Sequence, residues 1–168
     1  MDRDLDDPTS YFALAGVHWY PAPSRCLHGE DRYNPWHRAY LIQFENALRT
    51  VEGCEDVTLP YWDITKKPPD FLFAPPFDSY KLPKEVHPEY PAGYSTIRYD
   101  AQKIFNNVHS SLENIPDMIK CAMEQPLWSD FHSRTTDCGI ESAHNAGHPA
   151  CGESMAHADV AAFDPIFW

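Results

Sequence analysis

The sequence predicts a mainly α-helical chain whose helices are joined by long, proline-pinned loops. Three observations carry this. Asn34-Pro35 and Asp164-Pro165 each set a capping residue before a proline at the first helical position. Apolar residues after Asn34 recur at helical spacing. The chain holds 16 prolines, and residues 66–93 combine many of them with aromatics and no clear periodicity. With 168 residues, 43% hydrophobic and 14% aromatic, one domain over 1–168 with a sizeable core is expected.

In chain order, Asp7-Pro8-Thr9 reads as a helix start. Tyr11, Phe12, Leu14, Ala15 and His18 suit a short amphipathic helix that His18 closes, before Tyr20-Pro21-Ala22-Pro23 breaks it. Residues 26–33 read as loop. The helix capped by Asn34 is expected to run to about Val51 and to end at Gly53, with His37, Leu41, Phe44 and Leu48 on one face and Tyr40 and Ala47 beside them. Residues 66–93 read as a loop packed by its own aromatics. Asp100–Ser111 and Ile115–Met123 read as helices, the second opened by Pro116. Residues 130–139 read as loop, Ile140–His148 as helix and 149–158 as a Cys- and Gly-containing loop. Asp164-Pro165-Ile166-Phe167-Trp168 reads as a helix opening. A domain stopping there would expose large apolar groups, so the chain is expected to be a fragment, incomplete at its C-terminus and ending inside a helix.

The net charge of −12, from 13 basic and 25 acidic residues, argues against nucleic acid or an anionic membrane as partner, since phosphate binding needs basic patches. No apolar run is long enough to span a membrane, and the acidic N-terminus has no signal-peptide core. Five cysteines are an odd number for a disulfide framework. Cysteine usage inclines the localisation towards an oxidising compartment, hence secretion.

The histidines fall into two groups. His144 and His148 stand at i and i+4 on one helix face, a spacing that either chelates a transition metal or leaves two unrelated histidines on a polar surface. The glutamate of a zinc-protease motif is not between them, but Glu141 lies one turn before. His37 points with the apolar stripe of its helix and sits in the first turn, where the helix dipole disfavours protonation and leaves a neutral imidazole ready for metal. His18 and His28 complete the upstream group. Imidazole-rich sites with few carboxylates suit copper, zinc, iron and nickel.

Five motifs together carry a family resemblance: Cys26-Leu27-His28-Gly29; Trp36-His37-Arg38-Ala39-Tyr40-Leu41; Leu59-Pro60-Tyr61-Trp62-Asp63; His144-Asn145 with His148; and Asp164-Pro165-Ile166-Phe167-Trp168. In this order, and over most of the chain, they resemble the tyrosinase family of type 3 copper proteins, which includes catechol oxidases and molluscan hemocyanins. The resemblance implies a four-helix bundle around two copper ions, each held by three histidines. His18, His28 and His37 match the first site, and His144 and His148 match two ligands of the second. In the family the third follows the Asp-Pro-Ile-Phe-Trp motif, so a further segment or chain is expected to supply it. The helix that opens the family domain upstream is short or absent here.

The resemblance further implies a thioether between Cys26 and His28, the other reading being a free thiol. Cys54, Cys121, Cys138 and Cys151 would then remain, an even number that allows three pairings. Glu141 and Asn145 match a pair that orients a water to deprotonate a phenol. Arg38, Asp63 and Asp164 match structural positions, as ion pairs and caps. His87, His109, His132 and His157 match no motif and read as surface or loop histidines. The implied activity is ortho-hydroxylation of phenols or oxidation of o-diphenols to quinones, with dioxygen as co-substrate. The alternatives are an oxygen carrier of the hemocyanin type and an inactive processed fragment.

Overall fold

The computed structural model describes residues 4–21, 23–110 and 114–168. The order is α1 (Tyr11–Trp19), α2 (Tyr33–Arg49), α3 (Ala101–Val108), α4 (Ile115–Met123), α5 (Trp128–Phe131) and α6 (Ile140–Cys151), with short 3-10 turns at Asp70–Phe73, Glu153–Ala156, Ala161–Phe163 and Pro165–Phe167. Among the described residues β pairing is limited to isolated bridges such as Lys81 with Ser95. The mainly α expectation therefore holds.

α6 is the centre of the bundle. It presents small residues, Ala143, Ala146 and Ala150, so that Ile104 and Val108 of α3 and Ile115 of α4 pack closely into one cluster with Met155 and Ala161. A second cluster joins Phe12 and Ala15 of α1 to Leu82 and Tyr90 of the 66–93 loop and to Val160, Ala162 and Phe163. That loop is packed, as its aromatics suggested; Tyr90 and Tyr94 meet edge to face at 5.1 Å. A third cluster, Leu14, Phe44 and Ala47, lies against Trp168, whose ring stacks on Phe44 at 4.0 Å. α1 and α2 are also joined by a buried hydrogen bond, Tyr40 Oη donating to the Leu14 carbonyl at 2.7 Å.

Several local expectations change. The cap of α1 is Ser10, whose Oγ accepts from the Ala13 N–H; Asp7 instead closes the preceding turn through Thr9. α2 begins at Tyr33, not after Asn34, with Arg32 as its N-cap and no side-chain cap bond. Pro35 is tolerated within the first turn because the first N–H groups of a helix have no intrahelical partner, and burial of the Tyr33 ring draws that residue into the helix. The buried stripe of α2 is Tyr33, Tyr40, Phe44 and Ala47, whereas Leu41 is exposed. α6 continues through Pro149 to Cys151, because Ala150 and Cys151 are core residues. α5 (Trp128–Phe131) overlaps the start of the 130–139 stretch read as loop. The expected end of the α3 helix at Ser111 lies outside the described residues; the helix closes at Val108.

Cys121 and Cys138 form a disulfide. Cys54 and Cys151 are free thiols, so the even four do not form two pairs. Burial raises the Cys151 thiol to about 12, which makes it an inert core group. Arg38 is exposed and forms no ion pair among the described residues. Asp63 does act as a turn cap, accepting from the Thr65 N–H and hydroxyl. Asp164 accepts from the Ile166 N–H and pairs with Arg98.

α6 ends at Gly152, whose φ of 72° and ψ of 179° lie in a region open in practice only to glycine. A Cβ there would come within 2.2 Å of the Tyr99 ring. Gly152→Ala is expected to lower stability by about 2–3 kcal/mol or more, read as a shift of the urea midpoint; a change below about 0.5 kcal/mol would contradict it.

Candidate metal centre

The chain folds so that the two histidine groups converge. α1 carries His18 in its last turn, fully buried. α2 carries His37 one turn past its start, not in the first turn as expected, and α6 carries His144 and His148. His28 comes from the loop between α1 and α2. The ring centroids of His28 and His37 are 5.3 Å apart and those of His18 and His28 5.8 Å. His144 lies 5.5 Å from His37, 5.7 Å from His28 and 4.7 Å from His148. The five rings thus form one contiguous cluster.

Backbone carbonyls decide which nitrogen each ring offers. A carbonyl only accepts, so the ring nitrogen facing it carries the proton. His18 Nδ1 faces the Ala158 carbonyl at 3.3 Å, His37 Nδ1 that of Tyr33 at 2.8 Å, and His148 Nδ1 that of Met155 at 2.9 Å. Their Nε2 atoms are therefore bare lone pairs, the form that binds metal. The Nε2 atoms of His18, His28 and His37 are buried and have no hydrogen-bond partner, and those of His144 and His148 face each other at 3.0 Å. Buried lone pairs without a partner are costly; a cation shared between them satisfies them. Ligand atoms of His28, His37 and His144 all lie within 4.8 Å of one another, as do those of His18, Cys26 and His28. The first grouping thus joins His144 of the downstream pair to two histidines of the upstream set.

Burial also keeps the cluster uncharged. Desolvation, helped by the neighbouring imidazoles, lowers His18 to about 3 and His28 to about 4. His37, His144 and His148 are lowered too, each mainly by burial. Aromatic side chains supply the low-dielectric wall: Tyr33 lies 4.4 Å from His37, Phe167 5.1 Å from His18 and Trp36 4.8 Å from His37. The donor set, neutral imidazole nitrogens in an apolar pocket, fits copper.

The two other expected site residues differ. Glu141 is fully buried; its Oε1 accepts from the Gly29 N–H at 2.7 Å while Oε2 has no partner. Asn145 is exposed, and no hydrogen bond joins it to Glu141. Cys26 Sγ lies 3.2 Å from Ser24 Oγ. His132, read as a surface histidine, is largely buried and contacts Asp31 at 3.0 Å. Sequence reasoning also missed the carbonyls of Ala158 and Met155, which no side-chain pattern marks, and Tyr33, whose place before Asn34-Pro35 was the available signal.

The family model for the common central domain of tyrosinase matches residues 8–93 and 73–168. A G-type hemocyanin of Enteroctopus dofleini is 30% identical over 197 aligned residues, covering 100% of this chain and 6% of that protein. A tyrosinase of Hahella sp. is 26% identical, over 99% of this chain and 45% of its own length. Among solved structures, a tyrosinase from Burkholderia thailandensis superposes with a TM-score of 0.81 at 22% identity, over 98% of this chain and 51% of that one. The chain thus spans about half the length of these tyrosinases and a small part of the hemocyanin. Family match, helical bundle and clustered imidazoles agree, and the chain belongs to the tyrosinase family of type 3 copper proteins.

Proposed function

We propose that this chain is a copper oxidoreductase acting on phenols, either hydroxylating monophenols at the ortho position or oxidising o-diphenols to o-quinones. The observation that carries the reading is the convergence of five neutral imidazoles whose Nε2 atoms have no outside protein partner. His18, His28 and His37 would hold one copper, and His144 and His148 would contribute to the other. When bound, the pair supplies two-electron redox chemistry and a place for dioxygen. Two o-diphenols and one dioxygen give two o-quinones and two waters, which balances the electrons.

The chain's own residues supply the rest. The carbonyls of Ala158, Tyr33 and Met155 hold the ligand tautomers. The aromatic wall excludes water. Asn145, exposed beside His144, is suited to meet a phenol hydroxyl or a water at the mouth of the site. Cys26 joined to His28 by a thioether would fix that ring. The bond replaces an S–H and a C–H, the two hydrogens leaving as two protons and two electrons to dioxygen, so a two-hydrogen mass loss that survives disulfide reduction is its signature. The disulfide Cys121–Cys138 favours an oxidising compartment, and among the described residues no helix is long and apolar enough to cross a membrane.

The third ligand of the second copper is proposed to come from a histidine-bearing segment outside these 168 residues. An apolar cleft of about 640 Å³, lined by Leu14, Phe44, Leu48, Ile166, Phe167 and Trp168 among others, could seat the apolar face of such a segment. Intact mass of the isolated protein tests this.

A second reading, an oxygen carrier, is favoured by the hemocyanin relatives. The copper-loaded protein, with any accompanying polypeptide, is to be given an o-diphenol in air. Quinone absorbance supports the enzyme; a reversible oxygen-dependent band without quinone supports the carrier. His37→Ala is expected to lower copper content by about half and to abolish quinone formation, since a first-site ligand is lost. Full copper retention would remove His37 from the ligand set.

A further inference from the structure

Among the five histidines, His28 differs in that no regular element holds it. It sits in the loop between α1 and α2, and its ring has no carbonyl partner of the kind that fixes His18, His37 and His148. Yet the loop has a firm seat. The Gly29 N–H donates to Glu141 Oε1 at 2.7 Å. Asp31 meets His132 Nε2 at 3.0 Å, with the His132 side chain only 12% exposed. The Arg134 guanidinium lies on the Gly29 Cα so closely that a Cβ there would come within 2.5 Å of its Nε. Gly29 has φ of +74°, a backbone conformation that favours glycine.

All three contacts come from one stretch of chain. Glu141 opens α6, and His132 and Arg134 lie in the segment before it. The disulfide between Cys121 at the end of α4 and Cys138 closes that segment into a strap. Gly139 sits so tightly under the Ser133 carbonyl that its Cβ would fall 1.8 Å away, which fixes how the strap turns into α6.

We propose that the disulfide-closed strap, residues 121–138, together with the first turn of α6 that follows it, is the clamp that positions His28, with Glu141, His132 and Arg134 as its contacts and Glu141 as the main one. This rests on the reading of His28 as a copper ligand only for its consequence in metal binding; the clamp itself is a property of the metal-free fold. Glu141 then acts as a positioning residue through a hydrogen bond that its carboxylate accepts. That role needs an acceptor oxygen but no basicity. A glutamine supplies the oxygen and a leucine does not.

The test uses the isolated protein stripped of copper, and hydrogen exchange of residues 27–32. Glu141→Leu is expected to speed exchange at Gly29 by about tenfold or more, while Glu141→Gln stays within about threefold of the parent. The double variant Cys121→Ser/Cys138→Ser, made in place of reductant because thiol reductants bind copper, is expected to loosen the same six residues and leave α2 protected. On reloading, Glu141→Leu and the double variant should lose copper at the first site, and Glu141→Gln should retain it. Unchanged exchange in both Glu141→Leu and the double variant overturns the clamp. Equal loss of copper in Glu141→Gln and Glu141→Leu overturns the positioning role, pointing to a need for the charge. Loosening without copper loss leaves the clamp standing and shows instead that His28 is not a ligand. If Glu141→Leu fails to fold, His132→Leu carries the same exchange readout, and no loosening in it counts against the proposal.

Discussion

Asp164→Ala is expected to cost about 3–5 kcal/mol of stability, the largest effect of any single substitution considered for this fold. Asp164 is fully buried and pairs with Arg98, whose side chain is 2% exposed. Arg98 also donates to the carbonyls of Leu72 and Phe77, so one guanidinium ties the 66–93 loop to the start of the Pro165–Phe167 turn. The attraction of the pair is not itself the source of the loss, because desolvating two charges consumes most of it. The loss comes from leaving a buried guanidinium without its counter-charge, together with the missing cap on the Ile166 N–H. Asp164→Asn keeps an acceptor for the cap and should fall between alanine and the parent. Adding Arg98→Met to Asp164→Ala should recover part of the deficit, since an apolar replacement removes the uncompensated charge. Urea unfolding of the four proteins decides it. A double variant no better than Asp164→Ala would assign the loss to the cap.

Much of this architecture was legible in the residues. Asp164-Pro165 marked a capped turn, and Pro116 a helix start in α4. The apolar stripe of α2 aimed His37 inwards, where it is half-buried. Legibility failed where tertiary contacts outweighed local rules. Pro149 stops most helices, yet α6 runs past it because Ala150 and Cys151 gain more from the core than the lost hydrogen bond costs. Asn34 has the right chemistry for a cap, but burying Tyr33 moved the helix start one residue ahead of it. At the site, the clustered histidines were visible and their aiming was not. Backbone carbonyls do that, and a carbonyl has the same sequence signature everywhere. Glu141 was noticed for its spacing from His144, whereas its partner, Gly29, lies 112 positions away. The Arg98 partner of Asp164, 66 positions away, went unread for the same reason.

Acid is expected to destabilise the metal-free protein strongly between pH 6.5, the ordinary histidine value, and about 4. Each clustered imidazole is depressed in the folded state, so as pH falls through 6.5 the unfolded chain takes up protons that the folded chain refuses. Stability is therefore complete above 6.5 and declines towards the folded values, about 3 for His18 and about 4 for His28. His18 alone is fully buried, and its full displacement corresponds to a loss on the order of 5 kcal/mol, comparable with the lower end of whole-domain stabilities. Two carboxyls oppose this. Burial raises Glu141 and Asp164, so the folded state binds protons at those groups more readily than the unfolded chain and regains some stability as they titrate. Five imidazoles against two carboxyls leaves a net loss. Urea midpoints measured in chelator from about pH 7.5 to about pH 4.5 should fall steadily below 6.5, and His18→Leu should flatten the decline; a level or rising midpoint would refute the buried, neutral cluster. The same protonation governs metal binding, because proton and copper compete for one lone pair on each ring. With the folded imidazoles refusing protons, copper retention should stay constant from about pH 8 to about pH 6 and fail only where the fold itself begins to yield.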